Sequence, residues 1–146
     1  TVAKTPLAVF SAEGGVDIEE LAARAPEKVI RAHFSVRGRL PRWKAREMVS
    51  EAGISGKLLV DLGNVLSRLG DVFLECDATL AEINPLALTR DGRLFALWEA
   101  GDPHHIKLPG LETLGTYTYN GRLLHAFTAH PKVDEKTGEM LFFGYK

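Results

Sequence analysis

The chain has 146 residues, with 18 Lys and Arg against 19 Asp and Glu and a formal net charge of −1. This balance excludes the basic footprint of a nucleic-acid-binding protein, and no apolar run is as long as a membrane span. A composition of 45% hydrophobic and 25% charged residues fits one globular domain, or two small ones that share a core. The single cysteine, Cys76, excludes an intrachain disulfide. We expect a cytoplasmic protein whose partners include neither nucleic acid nor a membrane.

The first elements are two short strands around a helix. Residues 5–11 (TPLAVFS) and 28–34 (KVIRAHF) predict the strands, and the helix is predicted from Val16 to Arg24. Gly14 and Gly15 precede this helix, where backbone amides could cradle a phosphate. The alternative is a plain tight turn, because three acidic side chains at the start of the helix would repel an anion.

Two further helices are predicted. One opens at Pro41 as its first residue and stops at Gly53. The other runs from Gly56 to Glu75 and places its apolar residues at helical spacing. Gly63 and Gly70 lower its intrinsic stability by about 1 kcal/mol each relative to Ala, which indicates close packing against a strand. Its polar side is predicted to comprise Lys57, Asp61, Asn64, Arg68 and Asp71.

The rest of the chain reads as strands and turns. Residues 77–101 alternate apolar and polar positions on both sides of Asp91-Gly92, which predicts a β-hairpin. A second hairpin turn is predicted at Asn120-Gly121 within residues 115–124 (GTYTYNGRLL). A third turn is predicted at residues 136–138 (KTG), before an apolar strand. Isolated histidines have structural interpretations: His33 as a hydrogen-bonded strand residue, and the pair at 104 and 105 as part of a loop.

Residues 1–97 resemble the β-subunit of succinyl-CoA synthetase, an ADP-forming acyl-CoA ligase of the ATP-grasp superfamily. The resemblance is carried by SAEGGVDIEELAARAPEKVIRAH, by the helices around KARE and residues 56–75, and above all by DATLAEINPLALTRDGRLFAL. It implies a fold that clamps magnesium-ATP. By resemblance, Asn84 is a magnesium ligand. Glu82 matches a catalytic carboxylate near the phosphohistidine loop of an α-type partner subunit.

The chain departs from this pattern where the second magnesium ligand is expected. Trp98 stands in the place of the family's Asp, and Glu99 is offset by one residue, so that on a regular strand its carboxylate faces the other way. The family's first subdomain and its domain on the CoA side also have no counterpart here. The resemblance therefore implies, at most, weak magnesium-nucleotide binding without turnover; polar residues on a solvated hairpin face are the alternative for Glu82 and Asn84.

Residues 92–146 resemble a carotenoid cleavage dioxygenase. The matching segments are GRLFALWEAGDP, LETLG, NGRL, FTAHPKVDEKTGEM and FFGY. These oxygenases are seven-bladed β-propellers that hold iron(II) through four histidines, and by resemblance His130 matches one of them. One histidine alone binds iron negligibly, and the likeness covers roughly one blade.

The expected fold class is α+β. Helices like those of the C-terminal ATP-grasp subdomain should pack on a mostly antiparallel sheet in residues 1–95, and a β-meander in residues 96–146 should continue that sheet. Three interpretations of function stay open: an incomplete acyl-CoA ligase fragment, a fragment of an iron(II) oxygenase, and a chimeric chain without native activity. Open strand edges also predict self-association.

Overall fold

The structure is a computed structural model in which the chain forms two compact units, Thr1–Glu82 and Ile83–Lys146. The predicted boundary between residues 1–95 and residues 96–146 rests on the two family resemblances, and it stays a prediction. The residues that the structure describes are 5–13, 17–83, 86–88, 93–99, 101–108, 110–134 and 136–144.

The first unit contains two strands and three helices. In chain order they are β1 (Leu7–Phe10), α1 (Ile18–Arg24), β2 (Ile30–His33), α2 (Arg42–Glu51) and α3 (Gly56–Glu75), with a 3₁₀ turn at Pro26–Lys28 between α1 and β2.

The two strands form an antiparallel pair in which Leu7 lies opposite His33 and Phe10 opposite Ile30. The Nδ1 atom of His33 lies 3.1 Å from the hydroxyl of Thr5. His33 is therefore hydrogen bonded, as its sequence context predicts.

The start of α1 is fixed by a side-chain cap. The Asp17 carboxylate accepts hydrogen bonds from the backbone N–H groups of Glu19 and Glu20, so α1 begins at Ile18, two residues later than predicted. Pro41 precedes α2 as its cap instead of serving as its first helical residue. The bounds of α3 agree with those predicted from its apolar spacing.

The two glycines of α3 mark close packing, but the neighbour is not a strand. A Cβ atom at Gly63 would lie 2.5 Å from Cγ of Arg46 on α2, and one at Gly70 would lie 3.1 Å from Cβ of Leu40, just before α2. The expected strand was the wrong partner because α2 lies along α3 and fills the space on that face.

The polar side of α3 also needs one correction. Asp61 is only 4% exposed, although its spacing placed it on the solvent side. Its carboxylate accepts a hydrogen bond from Nζ of Lys57, one turn earlier. Val72, one of the apolar residues at helical spacing in α3, is 48% exposed. The buried face of α3 is therefore shifted from the stripe that apolar spacing alone indicates, because Gly63 and Gly70 set where the neighbouring chain approaches.

The core of the first unit joins the inner side of β1 and β2 to the two long helices. Its buried members are Ala8, Ala32, Phe34, Leu40, Ala45, Met48 and Leu66. The hydroxyl of Ser67 donates a buried hydrogen bond of 2.9 Å to the carbonyl of Leu40, which fixes the segment before α2 to α3.

The second unit contains short strands. They are β3 (Leu86–Leu88), β4 (Leu94–Ala96), β5 (His104–Lys107), β6 (Glu112–Thr116), β7 (Lys132–Val133) and β8 (Met140–Leu141). Strands β3 to β6 form a four-stranded meander in chain order, and β7 pairs with β8. All strand pairs within the described residues are antiparallel. Together with the helices of the first unit, they confirm the α+β class.

The hairpin predicted around Asp91-Gly92 is confirmed in its strands, since β3 pairs with β4; the turn residues themselves lie outside the described residues. The loop expected at His104 and His105 is wrong, because both residues belong to β5. Pro103 precedes this strand and obscured it in the sequence, although a proline is compatible with the position before a strand begins.

Strand β6 carries a bulge. His105 pairs with Gly115 and Ile106 pairs with Thr113, so Leu114 is an extra residue without a cross-strand partner. Gly115 has a φ of 112°, a value that residues with a side chain rarely adopt. The bulge therefore interrupts the regular ladder in the middle of this edge strand.

The two later turns lie where the sequence predicts them, but the turn at Asn120-Gly121 does not join a hairpin. Among the described residues, β6 ends at Thr116 and the next strand is β7 at Lys132. Asn120 and Gly121 both have positive φ, at 59° and 78°. In the third turn, the Asp134 carboxylate accepts hydrogen bonds from the backbone N–H groups of Lys136 and Thr137, both at 2.8 Å. These two bonds lower the pKa of the Asp134 carboxyl from its ordinary value. The turn connects β7 to β8.

Aromatic rings form the interior of the second unit. Phe95 lies 5.1 Å from Tyr117, which lies 4.9 Å from Tyr119, measured between ring centroids. Phe127, which is 1% exposed, stacks on Phe142 at 4.0 Å. Burial raises the pKa of the Tyr119 hydroxyl. These rings pack against one another beside the short strands.

No helix in the described part of the chain is both long enough and apolar enough to span a membrane.

Candidate functional site

Glu82 is the candidate catalytic residue that the structure describes. Its side chain is exposed, and it lies outside any strand, four residues before β3 begins at Leu86. The hairpin strand that the alternation over residues 77–101 predicts around Glu82 therefore begins later, at Leu86. Pro85 stands directly before β3 and has no N–H group to donate to a ladder, which agrees with a strand that starts after it. Asn84 lies outside the described residues.

Trp98 occupies the position where the resemblance places a metal-binding Asp. Its side chain is 53% exposed. Its indole ring lies against the backbone of Gly101, where an added Cβ atom would be 2.5 Å from the ring. The indole therefore fills space next to a glycine and provides no oxygen ligand.

Glu99 does not take over the role of the missing Asp. Its carboxylate accepts a hydrogen bond of 3.3 Å from the hydroxyl of Thr128, and its Oε1 atom lies 3.9 Å from Nε2 of His130. The Thr128 side chain is 1% exposed, and its hydroxyl also accepts the backbone N–H of His130 at 3.1 Å. Glu99 is thus engaged by the segment around residue 128.

This Glu99, Thr128 and His130 network is the polar arrangement that sequence reasoning missed. The only sequence signal was the Thr-x-His spacing, which is too common to predict a contact with a residue 29 positions earlier. This network has little capacity for catalysis or metal binding, because the His130 ring is half exposed and has one carboxylate near it.

The structure gives the iron interpretation of His130 no support. Within the described ranges, no group of three or more His, Cys, Asp or Glu side chains could hold a metal ion. The ring of His125 is directed to a backbone carbonyl, with its Nδ1 atom 2.9 Å from the oxygen of Ala126. An iron(II) oxygenase requires several converging imidazoles, and His130 is not accompanied by them.

The glycines proposed to cradle a phosphate, Gly14 and Gly15, lie outside the described residues, so this interpretation stays a prediction. The structure does describe the residues on both sides of these glycines. Asp17 already accepts two backbone N–H groups at the start of α1, and a phosphate there would compete with this carboxylate. Glu13 forms ion pairs with Lys28 and Arg24, and the hydrogen bond from Lys28 lowers the pKa of the Glu13 carboxyl.

A groove of about 490 Å³ lies in the first unit. It is lined by the start of β1, by Val36, by the end of α3 and by residues 77–81. Glu82 is not part of the lining, and the groove therefore does not add to the candidate magnesium site.

Comparison with known proteins identifies the family of the first part of the chain. Residues 2–88 match the family model described as ATP-grasp domain. The chain is similar to the β-subunits of succinate–CoA ligase (ADP-forming) from Methanocaldococcus jannaschii and Methanothermobacter thermautotrophicus, at 46% identity over 94 residues in each case. The same subunit from Rubrobacter xylanophilus is 42% identical over 94 residues.

These matches cover 64% of this chain, 26% of the first two relatives and 24% of the third. The helices, the antiparallel strands and the match define an α+β domain of the ATP-grasp type. The chain belongs to the ATP-grasp domain family. It spans about a quarter of the length of the curated relatives that it matches, and the resemblance to the synthetase β-subunit over the first part of the chain is confirmed.

Proposed function

We propose that this chain is the ATP-grasp segment of an ADP-forming acyl-CoA ligase of the succinyl-CoA synthetase type, and that it binds magnesium-nucleotide weakly. The observation that carries the proposal is the identity of up to 46% to succinate–CoA ligase β-subunits over 94 residues, in a region that includes the Glu82-Ile83-Asn84 sequence. Identity at this level over such a length goes with a common fold and is a reasonable basis for carrying over site residues.

The ligand chemistry is consistent with magnesium. The amide oxygen of Asn84 and the carboxylate of Glu82 are hard oxygen donors, which this ion prefers, and magnesium usually retains several waters alongside a few protein ligands. When bound, the ion would neutralise charge on the nucleotide phosphates. The position of Trp98 and the engagement of Glu99 leave the site short of the second family carboxylate, so we propose low affinity.

Turnover is not part of the proposal for this chain alone. Phosphoryl transfer depends on positioning and on charge stabilisation by groups from several parts of a fold, and the chain spans about a quarter of its relatives. In the complete ligase we propose that Glu82 acts beside the phosphohistidine loop of an α-type subunit. The exposure of Glu82 is compatible with such a role.

Calorimetric titration with magnesium-ATP tests the binding. We expect saturable heat with a dissociation constant on the order of 1 mM, lost when magnesium is chelated and lost in Asn84→Ala. Glu112→Gln is the control, because Glu112 is exposed in β6 and is not a proposed ligand; it should bind as the original chain does. Absence of heat at millimolar ligand, or equal binding by Asn84→Ala, would reject the proposal.

The partner is tested separately. The α-subunit of a succinate–CoA ligase, mixed with this chain, should co-elute with it in size-exclusion chromatography, and Glu82→Gln should leave the co-elution intact while abolishing any phosphohistidine formation. Separate elution of the two chains at all concentrations would remove the α-type subunit from the proposal.

A further inference from the structure

The turn at Asn120-Gly121 places an exposed asparagine directly before an exposed glycine. Both residues have positive φ, at 59° and 78°. Among the residues that the structure describes, the side-chain amide of Asn120 has no hydrogen-bond partner. No contact in this part of the chain therefore holds the amide away from the backbone nitrogen of Gly121.

An asparagine before a glycine reacts with its own backbone in water. The backbone nitrogen of the next residue loses its proton and attacks the side-chain carbonyl carbon. A C–N bond forms and ammonia leaves, which gives a five-membered succinimide ring. Water then opens the ring at one of its two carbonyl groups, so that the product is aspartate or isoaspartate. The sum is one amide and one water converted to one carboxylic acid and ammonia, without an oxidant or a cofactor, and this makes asparagine a thermolabile residue.

Asn120 is the asparagine whose neighbour suits this reaction. The chain has three asparagines and no glutamine. Asn64 lies inside α3 and precedes Val65, whose β-branched side chain and helical N–H both obstruct the attack. Asn84 precedes Pro85, whose nitrogen has no proton to lose. The residue after Asn120 is glycine, which lacks a side chain and allows the backbone rotation that ring closure requires.

The same turn also restrains the reaction. The N–H of Gly121 donates to the hydroxyl oxygen of Thr118 at 3.2 Å, so the nitrogen that must attack is engaged by another group. The N–H of Leu123 donates to the carbonyl of Thr118 at 3.0 Å and closes the turn around Asn120. Ring closure therefore requires that these bonds open first.

We propose that Asn120 is a site of spontaneous deamidation, and that the Thr118 hydroxyl sets its rate through the bond to Gly121. The reaction replaces a neutral amide with a carboxylate. The formal net charge of the chain thus changes from −1 to −2, one unit lower, and the new charge lies at an exposed turn.

The isoaspartate product affects more than the surface. Its backbone passes through the former side-chain carbon and is longer by one atom, so the positive φ values of this turn cannot be kept. Tyr119, the residue before it, has its ring 4.9 Å from that of Tyr117 and 6.3 Å from that of Phe127, between centroids. A longer backbone at residue 120 therefore displaces a ring that contacts the aromatic interior of the second unit.

Mass spectrometry of the chain during incubation in mildly alkaline buffer tests the site. We expect the intact mass to rise by about 1 Da, and peptide fragmentation to place the change at residue 120. A synthetic peptide of residues 115–124 (GTYTYNGRLL) sets the rate of the unrestrained reaction and should react faster than the folded chain. An unmodified residue 120 after the peptide has fully reacted, or earlier modification at Asn64 or Asn84, would overturn the proposed site.

Variants of Thr118 test the restraint. Thr118→Val removes the acceptor at nearly constant volume and should raise the rate about threefold, as expected for the loss of one neutral hydrogen bond. Thr118→Ser keeps the hydroxyl and should restore the original rate. Thr113→Val is the matched control, because Thr113 is exposed in β6 and its hydroxyl does not contact Gly121.

Unfolding separates this restraint from the intrinsic chemistry of the sequence. In urea that unfolds the chain, the original chain and Thr118→Val should deamidate at the same rate, because the turn is lost in both. Equal rates of these two chains when folded, or an equal acceleration by Thr113→Val, would overturn the role of Thr118. An acceleration by Thr118→Val that persists in urea would do so as well.

Discussion

The two units obtain their cores by different means. In the first, long helices approach closely because glycines stand at the contact, and aliphatic side chains fill what space is left. In the second, strands of two to five residues enclose a few large rings, with Phe127 at the centre. Packing spread over many small contacts tolerates a single truncation better than packing concentrated in one ring. The second unit should therefore be the more sensitive to loss of one side chain.

The two tryptophans allow each unit to be followed separately. Trp43 lies in α2 of the first unit, and Trp98 lies after β4 in the second. Chains with Trp43→Phe or Trp98→Phe thus carry one fluorescent reporter each. Denaturant unfolding of these two backgrounds is the measurement for the first three predictions below.

The largest effect is expected from Phe127→Ala. Removing a buried ring leaves a cavity and lowers the free energy of unfolding by about 3–5 kcal/mol. The shift in unfolding midpoint should be greater for the Trp98 reporter than for the Trp43 reporter. Leu124→Ala is the control, because Leu124 is 86% exposed and its truncation should cost less than about 0.5 kcal/mol. Equal effects of the two substitutions would contradict the central position of Phe127.

Gly63→Ala should have the next largest effect, in the first unit. The new methyl group would overlap Cγ of Arg46 and would lie 3.2 Å from its Cα atom, so α2 must move; overpacking of this kind costs about 1–3 kcal/mol. Gly70→Ala meets Leu40 at 3.1 Å and should cost less. If both substitutions stabilise the chain by raising helix propensity, then the close approach of α2 to α3 is wrong.

Ser67→Ala should cost about 1 kcal/mol, because it removes the hydroxyl that donates to the buried carbonyl of Leu40. The shift should appear on the Trp43 reporter. Ser50→Ala, at an exposed position of α2, provides the comparison and should be near neutral. A larger loss from Ser50→Ala than from Ser67→Ala would be inconsistent with the observed bond.

The smallest effect concerns acid and the turn between β7 and β8. The pKa of Asp134 is lowered in the folded chain, so its contribution to stability is present above the ordinary value and is lost as pH falls through the lower folded value. Below about pH 4 the amide resonances of Lys136 and Thr137 should shift together as Asp134 is protonated. Asp134→Ala should show no such titration. Titration of these resonances at or above the ordinary pKa of an aspartate carboxyl would contradict the two bonds.

Sequence reasoning succeeded where local chemistry decides the structure. The bounds of α3 follow from apolar spacing over 20 residues, and the hairpin β3-β4 from alternation around Asp-Gly. It failed where a distant segment decides. The burial of Asp61, the identity of the chain next to Gly63 and the bulge at Leu114 all depend on contacts that no local pattern encodes.

The same distinction between local and distant determinants applies to the residues of the candidate site. Glu82 and Asn84 come from a motif that is readable in the chain itself. The link between Glu99 and Thr128 joins residues 29 positions apart and becomes visible only in three dimensions. Trp98 is intermediate: its identity shows that an oxygen ligand is missing, but only the structure shows the indole against Gly101.

The close approach of the Arg46 side chain to Gly63 limits how α2 and α3 can move relative to each other. Because the Arg46 side chain occupies the space that a residue with a side chain would require, α2 cannot translate along α3 without steric overlap. The two helices must then tilt or shift together. A displacement of one helix would therefore displace the other, and the motion would reach β2, against which α2 packs.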